Sequence, residues 1–108
     1  MTNLKMYILV KDSIPTGIGV NAVGHASLAT YLHYNNDSDV VEWLETSFKK
    51  VTCKVTDAQF EKAKTYSDGI IITENALLNS AGQETEIAIG FKPRKEWPEF
   101  FKSLKLYK

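Results

Sequence analysis

One cysteine, two histidines, three prolines and no excess of either charge describe this sequence first by what it lacks. A lone thiol, Cys53, cannot close an internal disulfide and gives no metal-ligand spacing, so a disulfide scaffold and a zinc module are both excluded. The two histidines, His25 and His33, stand eight residues apart, whereas a helical two-histidine metal site needs them four apart with a carboxylate. No metal and no cofactor are therefore expected. Lys plus Arg and Asp plus Glu both total 13, a balance that argues against broad electrostatic binding to nucleic acid. No segment approaches the roughly 18 unbroken apolar residues of a membrane span. The opening MTNLKMYILVKDS lacks the apolar length and small-residue cleavage site of a secretory signal. The expectation is a cytoplasmic protein with no membrane partner.

What is present suits a single domain, 1–108, with one core: the chain has 108 residues and 44% hydrophobic content. The charge is balanced in total but not in place. Residues 35 to 47 carry Asp37, Asp39, Glu42 and Glu45 without a basic residue. Residues 92 to 108 carry six basic residues against Glu96 and Glu99. Such a segment can touch phosphate or simply form a solvated helix face.

Hydrophobic periodicity gives strands alternating with helices. KMYILVK (5–11) is apolar on both faces and reads as a central strand. DSIPTG turns the chain into a helix beginning near Ile18, and Asp39 with Glu42 resembles a capping pair for a short helix, VVEWLETS. KKVTCKV (49–55) alternates, as a half-exposed and edge-like strand does, with Cys53 pointing inward. Thr56 and Gln59 form a Thr-x-x-Gln capping box for DAQFEKAKTYS. GIIIT (69–73) reads as an interior strand, ENALLNSAGQE as a connection, and TEIAIGF (85–91) as another strand. EWPEFFKSLKLY closes the chain as a helix that turns Trp97, Phe100, Phe101 and Leu104 inward. The fold class is α/β: a single-domain three-layer sandwich, with a small mixed sheet of about four strands flanked by helices on both faces.

Three of the six glycines fall within GIGVNAVGHASLATYLHY (17–34). Glycine costs about 1 kcal/mol per residue in a helix relative to alanine, so its repetition points either to a backbone lying close to the sheet or to something docked at the first turn. Gly17-x-Gly19 is no phosphate-binding signature, because Ala22 stands where GxGxxG needs a third glycine. Asn21 and His25, four apart, are neighbours on one face. Two readings stand side by side. In one, His25 is a general base or acid and Asn21 orients it or donates to an oxyanion. In the other, His25 lies on a small apolar stripe (Ile18, Ala22, Ala29, Leu32) and hydrogen-bonds a carbonyl inside the fold.

The KMYILV strand, the turn into a Gly/Ala-rich helix carrying His25-Ala26, the strand ending Ile89-Gly90-x-x-Pro93 and the closing Leu104-Lys105-Leu106 together resemble the type 2 peptidyl-tRNA hydrolases over nearly the whole chain. The resemblance implies a small mixed sheet between helices and an ester-cleaving activity on peptidyl-tRNA. The departures fall on the chemistry. The family's helix reads Gly-Lys-x-x-x-Gln-x-x-His-Ala. Aligned on Gly17 and His25-Ala26, its lysine position is Ile18 and its glutamine position is Ala22. The family's Asp-Ala-Gly-x-Thr lands, with a one-residue gap, on Glu74-Asn75-Ala76-Leu77-Leu78, keeping a carboxylate and losing the threonine. The chain looks closer to uncharacterised relatives of that superfamily, in which Asn followed by His recurs on this helix.

His25, Asn21 and Glu74 are accordingly the candidate catalytic residues, with Glu74 expected at the C-terminal end of a strand near the start of the helix. The leading expectation is a peptidyl-tRNA hydrolase 2-like protein, an ester or amide hydrolase with an altered active site. Two alternatives accompany it: a non-catalytic small-ligand or RNA-binding module on the same fold, and a homodimeric protein with exposed aromatics such as Trp43, Trp97 or Tyr31 at the contact. The partners to look for are tRNA, a small-molecule ligand and a second copy. Lys11 and Lys95 are the basic residues considered as replacements for the family lysine.

Overall fold

The computed structural model describes residues 3–78, 82 and 84–108, with the side chains of residues 75–78 left undescribed. The chain runs β1 (Lys5–Lys11), α1 (Thr16–His33), α2 (Ser38–Glu45), β2 (Lys49–Val55), α3 (Asp57–Ala63), β3 (Ile70–Leu78), β4 (Glu84–Gly90), α4 (Glu99–Lys102) and β5 (Lys105–Leu106). The strands form one mixed sheet in the order β3-β4-β1-β2-β5. β1 and β2 are parallel, joined through α1 and α2, and every other pairing is antiparallel.

β1 is central because Met6 to Val10 are all buried. Alternation then splits them between two cores. Met6, Ile8 and Val10 join Ala22 and Ala26 of α1 and Val40 and Trp43 of α2 on one face. Tyr7 and Leu9 join Cys53, Phe60, Phe91, Trp97 and Phe101 on the other. That second core is largely aromatic: Trp97 and Phe101 stack edge-on at 4.9 Å, and Phe91 meets Phe101 at the same separation. The α/β class and the three-layer arrangement agree with the expectation, with five strands where about four were expected.

Local signals decide several element ends. Thr56 Oγ1 accepts from the Gln59 amide and Gln59 Oε1 accepts from the Thr56 amide, completing the capping box at α3. α2 is capped two residues earlier than the Asp39–Glu42 pattern suggests, by Asp37, whose carboxylate accepts from the Asp39 amide.

Three expectations are corrected. GIIIT is an edge rather than an interior strand: Ile71 is 38% exposed, because the chain leaving α3 crosses to the far side of β4 instead of pairing beside β2. Residues 74–78 of the expected connection continue β3, while residues 79–81 and 83 of it lie outside the described residues. The closing helix is one turn long. Beyond it Lys105–Leu106 pair with β2, a partner no local pattern announces.

The seat of α1 explains two of the glycines. A Cβ at Gly90 of β4 would run into the Thr30 hydroxyl and come within 3.1 Å of the Ala26 carbonyl oxygen; one at Gly19 would come within 2.6 Å of the Tyr107 hydroxyl. Helix and sheet approach so closely that α1 buries Gly19, Ala22, Ala26 and Thr30, its small residues. Its larger apolar residues Val20, Leu28 and Leu32 stay more than half exposed.

Candidate functional site

That choice of buried face decides where Asn21 and His25 go. Both are exposed, and neither has a hydrogen-bond or ion-pair partner among the described residues. The interior alternative for His25, a hydrogen bond within an apolar stripe, is overturned: the stripe that is buried runs one position off, through Ala26 rather than His25. At 100° per residue, His25 and Asn21 fall on the flank of α1 turned away from Val23 and Ser27, the side that meets α2.

The residues at the family's lysine and glutamine positions are packed inward. Ala22 is 1% exposed, and Ile18 packs against the same core. The third of these positions, Leu78, lies on β3 with its side chain outside what the structure describes. Glu74 is half-buried on β3. Thr73 opposes Glu86, and the Glu86 carboxylate reaches Lys64 beside α3, so the next residue, Glu74, turns to the α1 side of the sheet. Ile72 lies level with Ala88 and Val10, and Glu74 is two residues further, toward the end where the chain leaves β1 for α1. Because Gly19 packs against Val10, Asn21 is the member of the pair nearer to Glu74.

Neither candidate replacement cation is directed at the Asn21–His25 flank. Lys11 points to the opposite sheet face, its ammonium 4.8 Å from the Phe60 ring centroid. Lys95 follows Arg94, which bridges to Lys5 at the other end of β1. The basic segment 92–108 is also partly spent within the fold. Lys92 Nζ sits 2.7 Å from Asp37, which holds the Asp37 carboxyl below its ordinary range and raises Lys92, and Arg94 pairs with Asp68.

What sequence reasoning missed are two concave surfaces assembled from distant segments. A cleft of about 910 Å³ gathers Lys5, Lys49, Lys95 and Lys102 against a single acid, Glu96. A groove of about 410 Å³ between α1 and α2 is lined mainly by apolar residues, with Lys50 its one charged group. No stretch of sequence holds enough of either to signal it. Trp43 and Trp97, expected as exposed contact residues, are core residues at 1% and 5% exposure. Tyr31 is half-buried along the groove.

The family model described as peptidyl-tRNA hydrolase PTH2 matches residues 4–107. The chain belongs to this family. Among curated proteins, none matches it. The match runs from Leu4, in the core on the α1 face, to Tyr107, whose hydroxyl lies against Gly19. On α1 of this PTH2 domain Ile18 and Ala22 pack inward, and Asn21 and His25 are the exposed polar pair. None of the described helices is long and apolar enough to cross a membrane.

Proposed function

We propose that this PTH2 domain is an ester or amide hydrolase of the peptidyl-tRNA hydrolase type with an altered active site at the Asn21–His25 flank of α1. The observation that carries the proposal is that both side chains are exposed and uncommitted on a helix otherwise seated tightly on the sheet. An unpaired imidazole one helical turn from an amide is equipped for general-base attack by water on an ester carbonyl. His25 takes the proton of the attacking water, and Asn21 donates a hydrogen bond to the oxyanion that forms. As the oxyanion collapses the ester C–O bond breaks, and the His25 imidazolium returns the proton to the leaving hydroxyl. Glu74, on the same side of the sheet toward the start of α1, supplies negative charge that favours the imidazolium. No lysine shares that flank, so the oxyanion is stabilised by a neutral donor alone, and turnover should be slow. A cytoplasmic location and a reduced Cys53 go with this reading. The test is hydrolysis of an N-blocked aminoacyl ester across pH. Asn21→Ala and Glu74→Gln should lower kcat with little change in KM. A rate that neither substitution moves contradicts the assignment.

A second reading, RNA binding without turnover, has one observation in its favour: the four-lysine cleft at the opposite end of the sheet. Binding there would weaken steeply with salt, and replacing Lys49 and Lys102 by Gln would flatten that dependence.

A further inference from the structure

We propose that the groove between α1 and α2 is a binding site for a small amphipathic carboxylate, an alkyl or aryl body ending in one acidic group. It is separate from the Asn21–His25 flank and does not depend on the hydrolase reading. The groove runs between Val23, Leu28 and Tyr31 of α1 and Trp43, Leu44 and Phe48, and its volume of about 410 Å³ is in the range of small-molecule sites.

Three features shape it for a ligand. Gly24 forms part of the wall, and a Cβ there would meet nothing within 4 Å. Unlike Gly19 and Gly90, this glycine is not demanded by packing. In mid-helix it costs about 1 kcal/mol relative to alanine, and its effect on the shape is to keep the groove open. Phe48 adopts a left-handed backbone (φ 51°), rare for an aromatic residue and costing on the order of 1–3 kcal/mol. It is held there by its amide, which donates to the Trp43 carbonyl at 2.7 Å. The strained turn keeps the Phe48 ring 51% exposed and 5.1 Å from the Trp43 ring, as one side of the groove.

Lys50 names the class of ligand. Its ammonium lies 3.3 Å from the Phe48 ring centroid and 5.4 Å from that of Trp43, and donates to the Phe48 carbonyl at 3.3 Å. No carboxylate lies within ion-pairing distance among the described residues. Partial burial lowers its pKa, as it does for an ammonium without a counter-ion. An apolar trough whose lining includes one cation with no carboxylate partner among the described residues complements a molecule with an apolar body and a single anionic end.

The experiment is a titration of the intact protein with octanoate and, separately, with octanamide, followed by backbone amide shifts and Trp emission. Octanoate should shift Gly24, Ser27, Phe48 and Lys50 saturably, with octanamide at least about tenfold weaker, the scale of a charge-assisted hydrogen bond. Lys50→Met, which keeps the apolar stem, should reduce octanoate to the octanamide level. Gly24→Leu should fill the groove and abolish both while leaving the protein folded and no less stable. The proposal is overturned if octanamide binds as well as octanoate, or if octanoate gives no saturable shift at millimolar concentration. It is equally overturned if the groove resonances respond to protein concentration instead, which would make the occupant a second copy, or only to an acidic amphipathic peptide, which would make it a protein partner.

Discussion

Replacing Gly90 by alanine tests how α1 is held at its distance from the sheet, and with it the placement of Asn21 and His25. In an ordinary strand the added methyl stabilises by roughly 0.5–1 kcal/mol, because glycine loses more freedom on folding. Position 90 has no room for it: the methyl would run into Thr30 Oγ1 and press on the Ala26 carbonyl oxygen at 3.1 Å. Thr30 is fully buried and the Ala26 carbonyl is helix backbone, so neither yields cheaply. Overpacking of this kind costs about 1–3 kcal/mol, which outweighs the strand gain. Thr30→Ala removes the obstacle. The Thr30 hydroxyl has no hydrogen-bond partner among the described residues, so its loss relieves an unsatisfied buried group while forfeiting about 0.8 kcal/mol of methyl burial, for a result near neutral. The double variant should then recover about half or more of the Gly90→Ala loss, a coupling near 1 kcal/mol. Urea unfolding of the four proteins measures it, and Gly90→Ala alone should lower Tm by about 4–8 °C per kcal/mol lost. Gly90→Ala as stable as wild type, or strictly additive with Thr30→Ala, would refute the close seating of α1.

Three further outcomes are expected. Thr56→Ala breaks the reciprocal bonds with Gln59 and should cost about 1 kcal/mol, read from a lower urea midpoint at unchanged slope. Asp37 is depressed chiefly by the hydrogen bond from Lys92, so its stabilisation is present above its unfolded pKa and is lost as pH falls through the folded value; Lys92→Met should flatten the acid limb of stability below about pH 4, a small effect for a pair this accessible. Cys53 is 1% exposed and its thiol is pushed up to about 11 by burial, so alkylation at mildly alkaline pH should proceed only as fast as the chain opens, and denaturant should release it.

The elements that could be read from the sequence are those whose cause is local. β1 announces its central place by five apolar residues in succession, α3 by its capping box, and Cys53 by alternation with Lys50, Thr52 and Lys54. β3 and β5 could not be placed, because a partner strand rather than the residues themselves sets their position. Three isoleucines therefore sit on an edge, and a lysine–leucine pair becomes a strand. On α1 the usual rule is inverted by size. Gly19, Ala22, Ala26 and Thr30 go inward because Gly90 brings the sheet so close, and Leu28 and Leu32 are left outside. Asn21 and His25 were recognisable as a pair from spacing alone, yet their exposure followed only from which side of the helix the small residues bury. The four-lysine cleft and the Lys50 groove draw on segments too far apart in sequence to leave any pattern.

The most direct measurement is single-turnover release of a blocked aminoacyl group from a model peptidyl-tRNA, with wild-type protein and His25→Ala each in excess over substrate. An altered hydrolase predicts release by the wild type that falls at least about a hundredfold in His25→Ala, with the variant still folded. No release by the wild type at stoichiometric protein, or equal release by both, would contradict it and leave the PTH2 fold here as a scaffold for binding.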